Sequence, residues 1–395
     1  MAVTTGAVTA RRSSLIAASV FLVALCLRPA ITAVGPLLPQ IGADEGLGEG
    51  ALGVLGALPL VAFGLASPLV HRVSKWLGME RAVFVSLLVL AAGSVVRSYT
   101  GSVGLWLGTI VIGAAIAIGN VLVPVLIKRD YAGHVSRAMS VYTAFITGGA
   151  ALASAVAVPV AAGSDWRLAL AIWGALALVV ALIRIPANST STPLAAEAPL
   201  EGAPLVSVWR QPMAWLVTAY MGLQSTSFYV FVTWLPTIEI SHGFSDRAAG
   251  VHLFLFQGFG LVGGLAIPWL MRNPLSQRAG AVTASVPVGI AFLGLLLAPK
   301  LVIGWAILGG LGQGAALVAA LSLISIRGRT HHETAQLSGM AQSIGYLLAA
   351  TGPALAGYLT QLTGNWTAAL IVFAVLAASQ VAVGIAAGRD TRAAS

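Results

Sequence analysis

Long apolar runs, separated by short polar connections, alternate along the whole chain. A helix needs about 20 mostly apolar residues to cross a bilayer. The runs lack the strict alternation of apolar and polar positions that marks a strand of a membrane barrel. The pattern therefore predicts an all-α membrane protein with twelve transmembrane helices. We place them, to within a few residues at each end, at about 13–38, 49–71, 81–100, 103–127, 138–162, 165–185, 212–236, 248–271, 280–299, 301–326, 335–361 and 366–387.

The composition supports a membrane protein. Hydrophobic residues make up 58% of the 395-residue chain, and charged residues only 8%. A soluble domain has about 25% charged residues, so this chain has too few charges to cover a water-exposed surface. Its net charge of +9 comes from short basic clusters between the apolar runs and not from one continuous basic face. The predicted surroundings are a lipid bilayer, and no nucleic-acid partner is expected.

The distribution of basic residues predicts the orientation in the membrane. Most of the 21 Lys and Arg residues fall in connections on the side of the N-terminus. Cytoplasmic loops are enriched in Lys and Arg. We therefore expect a multi-pass protein of the inner (plasma) membrane with both termini in the cytoplasm. The connections on the opposite side contain few basic residues, which are Arg97, Arg167, Arg247 and Lys300.

The two halves of the chain repeat one another. The segments LLPQI at Leu37 and WLPTI at Trp234 end the first and seventh runs, and Ala51 and Ala248 open the following runs at the same offset. Between the halves, the segment from Pro186 to Pro204 is rich in Pro, Ser and Thr and is not apolar enough to span. We predict six-helix bundles at 1–185 and 212–395, joined by a cytoplasmic linker at 186–211.

Arg28 lies near the middle of the first predicted helix. A charge at the bilayer centre costs several kcal/mol unless it faces water or a partner. The guanidinium keeps its proton, and its planar fork suits anions with two acceptor atoms. The functional hypothesis is that Arg28 faces a central cavity and binds an anionic or strongly polar substrate. The alternative is that it reaches to the membrane interface or bonds to helix carbonyls.

Neutral polar side chains recur at similar depth in other predicted helices. A midplane site at the interface of two repeats needs polar groups from both halves at matching depth. For each single amide, the alternative is a hydrogen bond between helices. The residues that we predict to join Arg28 in binding substrate are Asn120, Gln224, Tyr229, Gln313 and Tyr346.

The acidic residues all fall at helix ends or in connections, so the sequence predicts no buried carboxylate as a proton carrier. His252 is the one histidine placed within a predicted span, and it is a candidate for proton coupling because it can titrate near neutral pH. The alternative for His252 is a local hydrogen bond. The segment His331 to Glu333 lacks the spacing of a metal site, so we predict no metal and no cofactor.

Two other functional classes fit the sequence poorly. A membrane enzyme would need Asp, Glu, His or Cys clustered at one face, and a sensor would need a sizeable soluble domain. A phosphate-binding loop ending in Gly-Lys-Ser/Thr does not occur in the sequence. We therefore predict a transporter of a small molecule that is not an enzyme and does not hydrolyse ATP.

Four stretches resemble one known family. They are LRPAITAVGPLLPQI from Leu27, GNVLVPVLIKRDY from Gly119, MGLQSTSFYVFVTWLP from Met221 and LSGMAQSIGYLLAATGP from Leu337. On these stretches the chain resembles the cyanate and nitroimidazole transporter family of the major facilitator superfamily. The resemblance implies two six-helix halves that move a small anion or small polar solute by alternating access. The alternative is efflux of a small drug-like heteroaromatic such as a nitroimidazole.

The connection after the second helix, SPLVHRVSKWLGMER, looks like the superfamily's gating-loop motif. Arg72, Gly78 and Arg81 match that motif, but His71 stands where the motif usually has an Asp. The resemblance implies a role in gating for the three matching residues. We expect a monomer, and protons are a candidate coupling ion.

Overall fold

A computed structural model describes residues 18–131, 133–186, 207–271, 276–328 and 331–389, without the side chains of Val135, Ser136, His331, His332 and Ala335. Within these ranges every regular element is helical. The first six long helices are α1 (Ala18–Glu45), α2 (Glu49–Leu77), α3 (Met79–Tyr99), α4 (Gly101–Asp130), α5 (Val135–Gly163) and α6 (Trp166–Arg184).

The second half contributes six more long helices, which confirms the prediction of an all-α protein with twelve. They are α7 (Pro212–Ser241), α8 (Asp246–Ala266), α9 (Arg278–Leu297), α10 (Val302–Arg327), α11 (His331–Thr363) and α12 (Thr367–Ala387). Ten of the twelve are long and apolar enough to cross a membrane by their own composition. The other two are α7 and α11, whose polar side chains lower their mean hydropathy.

Helix α1 is interrupted where its sequence requires it. Helical structure stops at Leu27 and Arg28 and resumes at Pro29. Because proline has no backbone N–H, it fits the first turn of the new segment but cannot continue the preceding helix. The Arg28 carbonyl oxygen accepts hydrogen bonds from the backbone N–H groups of Ile31 and Thr32, both at 3.0 Å. The interruption thus places Arg28 at the joint between two helical segments.

Helices of the two halves pack directly against each other. The main contacts are α2 on α11 and α5 on α8. On the second of these contacts, the Gln257 Nε2 donates to the Ala150 carbonyl oxygen at 2.9 Å and to Ser154 Oγ at 2.7 Å. One buried apolar cluster is formed entirely by residues 20–181 and another by residues 208–387. A larger cluster combines residues from both halves.

Glycines allow close approach at the end of the bundle where α1 connects to α2, which we call the α1–α2 end. A Cβ added at Gly35 would collide with the Val232 carbonyl oxygen, and one at Gly53 would collide with the Pro353 carbonyl oxygen. At the start of α2, the Gly50 N–H donates to Gln361 Oε1 at 2.9 Å. The two halves are therefore in tight contact at this end.

The predicted gating loop is mostly helical, which corrects the prediction that the second helix ends near residue 71. After a 3-10 turn at Ser67–Leu69, helix α2 continues to Leu77, and only Gly78 separates it from α3. Gly78 has a φ of 81°, which few other residues adopt. Pro68 falls in the 3-10 turn, and the stretch is helical from Val70 to Leu77 because it contains no proline or glycine there. Arg72 and Arg81 are exposed on either side of the turn.

The predicted linker is described only at its two ends. Pro186 and the 3-10 turn Val208–Arg210 are described, whereas residues 187–206 lie outside the described ranges.

Candidate substrate site

Arg28 is the centre of a candidate site between α1 and α7. Its Nη1 donates to the Tyr229 hydroxyl oxygen at 3.2 Å. Its guanidinium carbon lies 5.4 Å from the ring centroid of Phe228 and 5.7 Å from that of Tyr229, which is within the range of cation–π attraction. The side chain is half-buried. The sequence predicts Arg28 and Tyr229 in one site, and the structure brings them together from α1 and α7.

Aromatic side chains surround the arginine. Tyr346 on α11 lies 4.5 Å from Phe63 and 6.4 Å from Tyr229, measured between ring centroids, and both pairs are edge-to-face. Tyr142 and Tyr346 are close enough to Arg28 to interact with its charge. The ring edges and hydroxyl groups give the site a polar lining on an apolar wall, which suits a small solute that has one polar end.

Asn120, which the sequence predicts to bind substrate, forms no hydrogen bond with Arg28. It is half-buried on α4 and forms no side-chain hydrogen bond with a described residue. Its neighbour Gly119 packs on the Leu27 side chain, which immediately precedes Arg28. The backbone of α4 at Gly119 is therefore close to the α1 joint, and the amide of the adjacent Asn120 is available for hydrogen bonding.

Gln224 and Gln313 lie within the packing of the second half. Gln224 is 2% exposed, and its Nε2 donates to Ser225 Oγ at 2.7 Å. In the orientation that satisfies both of its polar atoms, Gln313 donates to the Gln224 carbonyl oxygen and accepts from the Phe228 N–H, each at 3.1 Å. The amide of Gln313 thus braces the turn of α7 that presents Phe228 and Tyr229.

A buried carboxylate overturns one prediction from the sequence. Glu239 is 1% exposed, and its Oε2 lies 2.6 Å from the Nδ1 of His252. The sequence places Glu239 near the end of α7 and so predicts that it is solvated, but α7 and α8 are antiparallel. Glu239 lies six residues before Ser245 and His252 seven after it, so the two side chains meet at nearly equal distance from the turn. That near-symmetry is the signal in the sequence that points to the pair.

The burial of Arg97 shows that a second prediction from the sequence is wrong. The sequence assigns it to the connections of the side poor in basic residues, yet it is 1% exposed. It lies on α3 close to the α1–α2 end, and its Nη1 donates to the Ala30 carbonyl oxygen at 2.6 Å. Gly108 on α4 packs against the Arg97 backbone and holds α3 and α4 together there.

The sequence does not predict the aromatic members Phe63, Phe228 and Tyr142. An aromatic residue inside an apolar run is equally consistent with lipid contact, core packing and a binding wall. Only Phe228 has a signal, because it precedes the predicted Tyr229 in a stretch that otherwise consists of Gln, Ser and Thr.

Comparison with known proteins places this architecture in a family. Residues 20–348 match the family model described as Major Facilitator Superfamily. The chain is 39% identical over 382 residues to the 2-nitroimidazole transporter of Escherichia coli (strain K12), with 94% of this chain and 95% of that protein covered. It is 31% identical over 362 residues to the cyanate transport protein CynX of the same organism, with coverages of 87% and 90%.

A solved structure supports the fold independently. The chain superimposes with a TM-score of 0.75 on the crystal structure of the nucleoside transporter NupG, at 14% sequence identity, with 95% of this chain and 98% of that one covered. At that identity the likeness concerns the fold alone.

Proposed function

This chain belongs to the Major Facilitator Superfamily, and from that premise we propose that it moves a small anion or small polar solute, cyanate-like in size, across the inner membrane. Membership makes it a multi-pass membrane transporter of small molecules and not an enzyme. The finer proposal concerns the solute and the residues that bind it.

The observation that supports the proposal best is the position of Arg28. A cation at this depth is costly unless a partner or water compensates it. In the described part of the chain its hydrogen-bond partner is the neutral Tyr229 hydroxyl. A guanidinium has five N–H donors, so most of them remain for a ligand. An anion or strongly polar solute would accept hydrogen bonds from those donors.

The packing of helices 18–184 against helices 212–387 supports alternating access as the mechanism. We propose that the bundles 1–185 and 212–395 rock about the site as units and that the protein acts as a monomer. With both termini in the cytoplasm, the tight glycine contacts at the α1–α2 end close the outer side. Arg72, Gly78 and Arg81 lie at the other end, where the turn between α2 and α3 would take part in gating.

Within the site we assign the residues different tasks. Arg28, Tyr229, Tyr346 and Asn120 contact the solute. Gln224 and Gln313 are buried and hold α7 in the position that presents the Phe228 and Tyr229 rings. The predicted substrate contacts thus divide into direct contacts and supports.

We propose protons as the coupling ion, with His252 and Glu239 as the pair that exchanges them. The two groups share a short hydrogen bond, and Glu239 Oε1 has no partner among the described residues. The other charged or titratable side chains near this α7–α8 turn are His242, Asp246 and Arg247, which lie at the helix ends. Among the described titratable side chains at this turn, Glu239 and His252 are therefore the two that are buried.

Uptake into proteoliposomes under an imposed pH gradient tests the proposal. Labelled cyanate and labelled 2-nitroimidazole are compared in the wild type and in Arg28→Gln. We expect saturable cyanate uptake that falls at least about tenfold in Arg28→Gln, because a hydrogen bond to a charged group contributes about 1.5–3 kcal/mol. The matched control is Arg247→Gln, which removes an exposed arginine and leaves uptake unchanged.

A second candidate function is efflux of a neutral heteroaromatic. The observation that favours it is the aromatic wall of Phe63, Phe228, Tyr229 and Tyr346, on which a small planar ring can stack. In the same experiment, transport of the nitroimidazole alone, insensitive to Arg28→Gln, would support efflux and reduce Arg28 to a structural role.

A further inference from the structure

Whereas Arg28 is half-buried, Arg97 is a fully buried arginine between the centre of the protein and the α1–α2 end. Its Nη1 bonds to the Ala30 carbonyl oxygen on the segment of α1 that follows the joint at Arg28. Its Nε and Nη2 are buried and have no hydrogen-bond partner among the described residues. A buried charged group with unused donors is costly unless something else satisfies them.

The unused donors form one geometric unit. The Nε–H and one Nη2–H of a guanidinium point in parallel from the same edge, which is the edge that binds two oxygen atoms of one carboxylate side by side. The Ala30 carbonyl holds the opposite edge in place. The free edge is therefore oriented by the protein and suited to a planar group with two oxygen acceptors.

Arg97 contributes to the wall of a crevice that lies near the central site. Its walls come from α1, α2, α3, α4, α6 and α7, and they include Ile31, Arg97, Thr109 and Thr233. Ile31 follows Arg28 by three residues on α1, and Thr233 follows Tyr229 by four on α7. One helical turn rises about 5.4 Å. The crevice thus lies about one turn from the central site, toward the α1–α2 end.

The walls of the crevice combine both halves. Most of the lining belongs to the first half, whereas Thr233 belongs to α7. Gly35 and Gly56 bring α1 and α2 close to α7 at Val232 and Thr233. Any movement of one half against the other would therefore change access to Arg97.

We propose that Arg97 is a second anion-binding site, for a small carboxylate-type anion, through which the solute passes between Arg28 and the α1–α2 end. This inference rests on the proposed function in one respect, that the transported solute is an anion. The two arginines form successive sites along one path. A second cation on this path would give the anion a charged partner after it leaves Arg28.

Binding of ¹³C-labelled formate to the purified full-length protein tests the second site. The probe is broadening of the formate ¹³C resonance, measured first in Arg28→Gln so that the central site no longer contributes. We expect broadening to persist in Arg28→Gln. In the double variant Arg28→Gln/Arg97→Lys, we expect formate to bind at least about tenfold more weakly, because an ammonium is a point charge that cannot offer two parallel donors. Arg28→Gln/Arg247→Lys is the matched control and keeps the broadening.

Three results would overturn the proposal. They are the absence of formate broadening in Arg28→Gln, broadening of equal size after Arg97→Lys, and displacement of formate by an equal concentration of chloride. The chloride result would indicate a site for a monatomic ion. If the Arg97→Lys variant does not fold, the proposal is judged from the Arg28→Gln protein alone. The two measurements are then the formate broadening and its displacement by chloride. Failure of the proposed function is seen separately, as cyanate uptake that survives Arg28→Gln.

Discussion

At the scale of single residues, the depth of a charge is the most informative feature of the sequence. The sequence predicts Arg28 as a site residue because an arginine in the middle of an apolar run has an unambiguous position in the bilayer. It misses Arg97 and Glu239 because they lie near the ends of their runs, where sequence alone does not separate a buried group from a solvated one. Helix packing determines whether such a group is buried or solvated, and the packing cannot be read from a single sequence.

Amides illustrate the same limit. The sequence predicts that Gln313 lies at the depth of the site, and the structure shows that its amide bonds to the backbone of α7. Depth is a property of the position along one helix. The direction of the side chain depends on the rotation of the helix about its axis, which is determined by packing against neighbouring helices.

Tyr229→Phe tests the hydrogen bond between Arg28 on α1 and the Tyr229 hydroxyl on α7. The change keeps the ring near Arg28 and removes the hydroxyl that accepts from Nη1. One hydrogen bond contributes about 0.5–1.5 kcal/mol, so the apparent affinity for cyanate is expected to weaken roughly two- to tenfold in proteoliposome uptake. Tyr99→Phe removes a hydroxyl from an exposed tyrosine and is the control. Equal affinity in Tyr229→Phe and Tyr99→Phe would count against a role for the Tyr229 hydroxyl.

At the scale of elements, the glycine contacts determine how closely helices of opposite halves approach. The sequence shows many glycines but does not show which of them face the other half. Gly35 and Gly53 face backbone carbonyl groups of α7 and α11, whereas Gly258 and Gly304 face open space. The difference is one of rotation about the helix axis, which composition does not reveal.

Gly53→Val is expected to prevent closure at the α1–α2 end. The added side chain would meet the Pro353 carbonyl oxygen, which cannot move aside as a flexible side chain would. Overpacking costs about 1–3 kcal/mol, so transport should fall by roughly five- to a hundredfold. The measurement is cyanate uptake at matched expression. Gly258→Val is the control, and an equal loss of uptake in that control would refute the role assigned to Gly53.

Glu239→Gln tests the pair formed by α7 and α8. The amide is close in size to the carboxylate and can still bond to His252, but it does not take up a proton. We expect uptake to lose its response to an imposed pH gradient, while exchange of labelled for unlabelled solute at equal pH on both sides continues. Asp246→Asn, at the first residue of α8, should keep the response. A pH response that is unchanged in Glu239→Gln would exclude this pair as the coupling site.

At the scale of the whole molecule, the apolar runs are sufficient to predict an all-helical membrane protein. The twelve apolar runs predict the twelve helices, and the resemblance predicts the superfamily that the comparisons show. The main structural error of the prediction is the end of the second helix, which the sequence places near residue 71, whereas the helix continues to Leu77. The division into rocking halves and the cytoplasmic position of the termini stay predictions.

The whole account depends on Arg28 as a ligand for the solute, and equilibrium binding measures this most directly. Labelled cyanate is titrated onto purified wild-type protein, Arg28→Gln and Arg247→Gln in a scintillation proximity assay. The account predicts that the dissociation constant rises at least about tenfold in Arg28→Gln and is unchanged in Arg247→Gln. An Arg28→Gln protein that folds normally and binds cyanate as tightly as the wild type would contradict it.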